Sequence, residues 1–202
     1  MSGVRSALQP RRQPEGPTAP DWPTVEVPTV ELPVLAGRPA AVLCALFEED
    51  DQVQVVLTRR SPRLRSHTGQ VSFPGGRIDP GETALACALR EAREEVGVDP
   101  ATVDVFARLS TVRIMSNPAP VLPFVGALPG RPRLRPNPAE VERAFTVSLA
   151  ELSDPDVYRE EIWTFPDGTD RPMYFFELVG DTVWGATARM LYELLDVVLA
   201  GP

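Results

Sequence analysis

The run GRIDPGETALACALREAREEVGV, residues 76–98, holds the clearest helix in the chain. Leu85, Ala88, Leu89, Ala92 and Val96 recur at helical spacing and share one apolar face. A helix over residues 83–96 is predicted, with Gly97 as its stop, because glycine enters the left-handed region without a Cβ penalty. Two starts fit. Asp79 could cap in a capping box with Glu82, with Pro80 at the first helical position, or Thr83 could be the N-cap.

On the same helix Glu91, Glu94 and Glu95 fall within about 100° of one another. Like charges so placed repel, at about 4 kcal/mol for a pair 4 Å apart in an effective dielectric of about 20. A cation relieves that repulsion. Hard oxygen ligands without cysteine or histidine suit Mg²⁺ or Mn²⁺ and leave coordination positions for water and a phosphate. Taken alone, EAREE reads more readily as a solvated acidic face paired with Arg90 and Arg93. The choice between these rests on what flanks the string.

Upstream, AAVLCALF (residues 40–47) is an unbroken apolar run of strand length, and QVQVVLT (52–58) is β-branched after an acidic turn. They predict adjacent core strands. Residues 61–81, rich in Gly and Pro, predict a long ordered loop with a short strand near 70–73, and such loops are usually functional. Downstream, strands are expected over 103–109, 121–128 and 174–179. A second helix over 187–199 carries Ala188, Leu191, Leu194, Leu195 and Val198 on one face. Strands with a helix to either side predict an α/β class, a sheet between helices. Before all of this, prolines recur from Pro10 to Pro39, which blocks helix and limits interior strand pairing. Residues 1–36 read as an extended arm, with a short edge strand at most within 25–35, and residues 37–202 as one domain.

Composition bounds the function. With 202 residues, 43% of them hydrophobic, there is enough chain for one core. The start lacks a secretory pattern, and no apolar run approaches the roughly 18 residues that span a bilayer, so a soluble, cytoplasmic protein is expected. Cys44 and Cys87 have apolar neighbours and read as buried small hydrophobes, in keeping with a reducing compartment. A formal charge of -8 disfavours nucleic acid and anionic membrane as partners. An anionic small molecule must then be drawn by a local cluster of cations. All 20 basic residues are arginine.

Residues 76–98 resemble the Nudix box, written as G, five residues, E, seven residues, REUxEExGU with U apolar. Gly76, Glu82, Arg90, Glu91, Glu94, Glu95 and Gly97 stand at its specified positions, and Ala92 and Val98 fill the apolar ones. The resemblance implies a Nudix fold, a mixed β-sheet sandwiched between α-helices. It also implies a divalent cation, Mg²⁺ or Mn²⁺, held for catalysis by Glu91, Glu94 and Glu95. Gly75 and Gly76 let the backbone approach metal or phosphate closely, the carbonyl of Gly75 being a candidate ligand. Glu82 and Arg90 are expected to brace the loop and orient the carboxylates.

Just upstream, LTRRSPRLRSHTGQVSFPGG (57–76) resembles the second signature of the coenzyme A pyrophosphatase branch of that family. Leu57, Thr58, Arg60, Ser61, Arg65, Gly69, Phe73, Pro74, Gly75 and Gly76 match, with Val56 in place of a leucine. RPAAVLCAL, VLPFVGAL and VWGATARML extend the likeness over 38–191. The resemblance implies hydrolysis of coenzyme A to 4′-phosphopantetheine and adenosine 3′,5′-bisphosphate. Arg60 and Arg65, at signature positions, are the expected phosphate contacts, since guanidinium groups bind phosphate bidentately. Arg59 and Arg63 serve equally well as surface cations, and His67 reads as a loop brace. Trp163 and Trp184 could stack on adenine, although a core or rim role is commoner for such residues. The base that activates water stays open among Glu91, Glu94 and a loop acid such as Glu140. The rivals are a Nudix hydrolase of another nucleoside diphosphate derivative, ADP-ribose or a dinucleotide, and a non-catalytic nucleotide sensor.

Overall fold

The structure, a computed structural model, describes residues 38–64, 68–114 and 117–199. The expected arm with its edge strand lies outside the described residues, as do Arg65 and His67.

Strand β1 (Ala40–Glu49) is the spine, because both its faces are covered. Val42, Cys44 and Leu46 pack into one core. Ala41, Leu43, Ala45 and Phe47 pack into the other. Side chains alternate across a strand, so an unbroken apolar run is what burial on both faces requires. Each fully buried Leu or Phe here contributes about 1.5–3 kcal/mol. Cys44 and Cys87 are buried and free, as expected.

β2 (Gln52–Arg60) returns antiparallel through Asp50 and Asp51, both at positive φ, which suits the twist of a two-residue hairpin. The loop predicted over 61–81 contains two short strands. β3 (Val71–Ser72) pairs with β2, and β4 (Gly75–Arg77) pairs with β1, setting Gly75 opposite Val42. Beyond the first helix come β5 (Asp104–Arg108), β6 (Val112–Ile114) and β7 (Asn117–Ala127). β7 runs parallel to β1 and pairs antiparallel with β5 and β6. β8 (Val141–Ser148), unpredicted, lies antiparallel to β2 and completes the mixed sheet.

Helix α1 (Ala84–Val96) covers one face through Cys87, Ala88, Ala92 and Val96. Thr83 is its N-cap, accepting from the Ala86 N–H at 3.1 Å. Asp79 instead opens a turn, closed by the Glu82 N–H on the Asp79 carbonyl at 3.0 Å. At the other end Gly97 takes φ 76° and donates to the Arg93 carbonyl, the bond of an αL ending, while the Val98 N–H reaches the Ala92 carbonyl. After a single turn, α2 (Leu149–Leu152), a second sheet appears that the sequence did not predict. It comprises β9 (Tyr158–Thr164), β10 (Asp170–Leu178) and β11 (Asp181–Trp184), all antiparallel. The strand expected over 174–179 is β10, and it belongs to this smaller sheet. Helix α3 (Gly185–Leu199) covers the second face of the main sheet, sharing its core with Tyr174, Phe176 and Val183. The α/β architecture, a mixed sheet between helices, is as expected. No helix among the described residues is long and apolar enough to cross a membrane.

Candidate active site

Glu91, Glu95 and Glu140 each bring a carboxylate oxygen within 4.8 Å of the other two. The first two stand one turn apart on α1. Glu140 arrives on the loop before β8, and that loop is tied to the last carbonyls of α1. The Arg135 N–H donates to Val96 and the Asn137 N–H to Glu95, each at 2.8 Å, and the Ser61 N–H holds the Glu140 carbonyl at 2.8 Å. Asn137 accepts from the Ala139 N–H at 3.2 Å, which tightens the turn that delivers Glu140.

Glu94, expected among the metal carboxylates, is not in this group. Its side chain is 54% exposed and accepts from Arg90 Nη1 at 3.0 Å. On the helix it is rotated by about 100° from Glu95, so β4 can pack beside Glu91 and Glu95 but not beside all three. Glu82 and Arg90 are placed as braces. Arg90 donates to Glu82 and Glu91 at 2.8 Å and to Glu94 at 3.0 Å, joining turn and helix in one network. The bond from Arg90 holds Glu82 down at about 2.

Glu95 is 2% exposed, accepts from the Gly75 N–H at 3.1 Å and lies 3.9 Å from Arg60 Nη1. Burial pushes its carboxyl up to about 7; the Gly75 N–H and Arg60 oppose this, and Glu91 and Glu140 add to it. Burial likewise raises Glu91, against the bond from Arg90. A desolvated, all-oxygen, mutually repelling set fits a hard divalent cation.

This has a measurable pH dependence. The folded value of Glu95, about 7, exceeds the ordinary value of 4.5, so between them the metal-free native state binds more protons than the unfolded chain. The stability it contributes is full below about pH 4.5 and is lost as pH rises through about 7. Metal-free protein is therefore expected to melt lower at pH 8 than at pH 5, and Mg²⁺ to raise the melting temperature more at pH 8. An Mg²⁺-induced shift equal at both values would contradict this assignment.

The two glycines differ in purpose. A Cβ on Gly75 would lie 2.4 Å from the Ala41 carbonyl oxygen and 2.6 Å from Val42 Cα, both backbone atoms of β1. A Cβ on Gly76 would lie 2.3 Å from Glu91 Oε1. Gly75→Ala is expected to cost about 1–3 kcal/mol or more through overpacking, a fall of roughly 5 °C or more in Tm. Gly76→Ala should hold its Tm within about 2 °C, because a side chain can yield, yet lose about a hundredfold in kcat through a displaced carboxylate. Thermal melts and kinetics on the pair test this, and the reverse pattern would refute it.

From the carboxylates opens a cleft of about 1140 Å³, with Glu91, Glu95 and Glu140 in its wall. Six arginines share that wall: Arg38, Arg60, Arg77, Arg113, Arg171 and Arg189. Arg60, Gly75 and Gly76, the expected phosphate-side residues, line this cleft. Arg59 does not join them; it pairs with Glu142 at 3.2 Å and Asp181 at 3.1 Å, fastening β2 to β8 and to the smaller sheet. Arg63 is exposed. The sequence named Glu140 only as a possible base, and it gave no site role to Arg38, Arg77, Arg113, Arg171 or Arg189. Their one visible signal was charge, diluted among many other arginines.

A mixed sheet between two helices, with clustered glutamates on the first helix and an arginine-walled cleft beside them, defines the class as a Nudix hydrolase. The chain belongs to the NUDIX domain family, whose model matches residues 37–167. It is 38% identical over 163 residues to the uncharacterized Nudix hydrolase NudL of Photorhabdus laumondii, covering 80% of this chain and 86% of that protein. It is also 38% identical over 177 residues to the chloroplastic Nudix hydrolase 22 of Arabidopsis thaliana, covering 82% of this chain but 57% of that longer protein. Among solved structures, a MutT/nudix family protein from Enterococcus faecalis shares the fold. It has a TM-score of 0.59 and 16% identity, over 84% of this chain and 65% of that one.

Proposed function

We propose that this chain hydrolyses the diphosphate of coenzyme A to 4′-phosphopantetheine and adenosine 3′,5′-bisphosphate. The observation that carries the reading is the place of Arg60. The signature stretch over 57–76 runs from β2 through β4, and within it Arg60 lines the cleft beside buried Glu95 while its Nε is buried without a hydrogen-bond partner among the described residues. Such an under-used guanidinium suits a phosphate oxygen, held beside a cation that the neighbouring carboxylates would bind. Six arginines against three glutamates also make the wall locally positive in a chain of net charge -8.

A divalent cation, Mg²⁺ or Mn²⁺, bound by Glu91, Glu95 and Glu140 would supply Lewis-acid charge at the diphosphate oxygens. The chain's own residues do the rest. Arg60 orients the diphosphate and offsets charge on its oxygens; Arg65 is proposed to do the same. Gly75 N–H and Arg90 fix Glu95 and Glu91 in place. Glu140, on a loop and not on α1, is proposed to accept the proton of the attacking water, or else to serve as a ligand only. Water adds to one phosphorus, the bridging P–O bond breaks, and the proton ends on the glutamate.

Release of phosphopantetheine from coenzyme A in Mg²⁺, measured beside ADP-ribose and a dinucleotide, tests the reading. Preferential cleavage of either rival would overturn the substrate; cleavage of none would make the protein a sensor. Arg60→Ala is expected to lower kcat/KM about tenfold to a hundredfold, the loss of one charge-assisted hydrogen bond worth about 1.5–3 kcal/mol. Comparison with 3′-dephospho-coenzyme A locates the contact. If both substrates suffer alike, Arg60 holds the diphosphate; if the preference for the 3′-phosphate vanishes, it reads that group. Unchanged kinetics on both would make it structural.

A further inference from the structure

The smaller sheet has one face turned to α3 and one that no helix covers. Strand register assigns the residues. Trp163 lies opposite Arg171, and Trp184 opposite Phe175. Since Arg171, Met173 and Phe175 alternate along β10, all five side chains share the uncovered face. Trp163 remains 40% exposed and Trp184 45%, while Phe175 between their strands is 7% exposed. Both indoles also line the cleft that holds Glu91 and Glu95.

The Trp163 ring is held, and the strand that carries Trp184 is anchored. Trp163 Nε1 donates to Glu161 at 2.7 Å, and its ring lies 6.0 Å from that of Phe175. Arg159 sits 4.0 Å over the opposite part of this aromatic strip, on the Phe175 ring. Trp184 is fixed differently. β11 is anchored through Asp181, which pairs with Arg59 and Arg143 from β2 and β8. Immediately after Trp184, Gly185 at φ 67° turns the chain into α3, whose first residues line the same cleft. An indole left 45% exposed inside a cleft with cationic walls offers a flat apolar face on which a planar ring can stack.

We infer that Trp184 is the platform on which the substrate's nucleoside base stacks, with Trp163 as the outer aromatic wall, so that this sheet face sets specificity for the nucleotide half. The inference rests on the proposed cleavage of a nucleotide diphosphate, but not on which one. Base-on-indole stacking tolerates any base, so selection for a nucleotide over a non-aromatic phosphate ester is what it provides. Arg189, whose guanidinium lies 5.6 Å from the Tyr174 ring, supplies a cation on that wall for the sugar phosphates, while Arg171, beside Trp163, is paired with Asp167.

The test separates the two halves of the substrate. Full-length wild type, Trp184→Leu, Trp184→Phe and Trp163→Leu are titrated calorimetrically, in EDTA, with adenosine 3′,5′-bisphosphate, AMP and 4′-phosphopantetheine. Trp184→Leu should weaken both nucleotides by about tenfold or more and leave phosphopantetheine within about twofold; Trp184→Phe should restore most of the loss. Trp163→Leu should show a smaller loss of the same sign. Kinetically, the loss should appear in KM more than in kcat. Unchanged nucleotide affinity in Trp184→Leu, or an equal loss for all three ligands, would overturn the platform. If wild type binds AMP through Trp184 yet does not cleave coenzyme A, the substrate reading falls and the platform stands. If it cleaves coenzyme A and Trp184→Leu has an unaltered KM, the reverse holds.

Discussion

Glu95→Gln is expected to lower kcat about a thousandfold while leaving the metal-free protein at least as stable as wild type at pH 8. The two effects have one cause. Glu95 is nearly inaccessible to solvent, and its charge is maintained against burial by one backbone N–H and a guanidinium 3.9 Å away. In metal-free protein at pH 8 that charge is a burden on folding, and a neutral amide that still accepts from Gly75 removes it. In the working enzyme the same charge is a ligand, and its loss should cost several kcal/mol of transition-state stabilisation, or about three decades in rate. Glu91→Gln should fall as far in kcat. Its metal-free stability should rise less, because Glu91 answers to Arg90 at 2.8 Å and that ion pair is lost as well. The measurements are kcat at saturating Mg²⁺ and metal-free melting curves. Near wild-type turnover in either variant would mean that α1 is not the metal site.

Glu140→Gln should reduce kcat by about a hundred- to ten-thousandfold, the range expected of a general base. Two roles are open to this carboxylate, and one experiment separates them. As the proton acceptor, its replacement removes the acidic limb from the pH profile of kcat and leaves the Mg²⁺ concentration for half-activation where it was. As a ligand only, it shifts that concentration upward by tenfold or more, and kcat recovers at high Mg²⁺. A variant with wild-type kcat at ordinary Mg²⁺ would exclude both, and with them the importance of the contact within 4.8 Å.

Several elements were legible because a single local pattern specified each one. The run over 40–47 had to be a strand with two covered faces, and α1 announced itself by spacing and by Gly97. Others were not legible for equally local reasons. β9, YREEIWT, has five of its seven residues exposed and so shows no strong apolar alternation. β11 has four residues, too few for any period to show. β8 reads VERAFTVS; its exposed pair Glu142 and Arg143 and its half-buried middle break the apolar alternation between buried Val141 and Val147. The helix start was ambiguous because Asp79 and Thr83 both suit a cap; the closed turn at Glu82 left only Thr83 free to begin α1.

By itself the sequence determined the family, the helix that carries the acids, the two glycines beside them and Arg60, since these lie within one contiguous stretch whose spacing is its geometry. It could not say which two of three neighbouring glutamates face the cleft, because a helix supplies angles but not the direction of its neighbour. Packing against β4 decided that, turning Glu91 and Glu95 inward and leaving Glu94 with Arg90. Nor could it place the third carboxylate. Glu140 reaches the centre only because the loop before β8 hangs on the last carbonyls of α1, a long-range pairing with no trace in local spacing. The aromatic wall is likewise a product of register: Trp163 and Trp184, far apart in the chain, share a face because each is paired with β10 at residues of one parity.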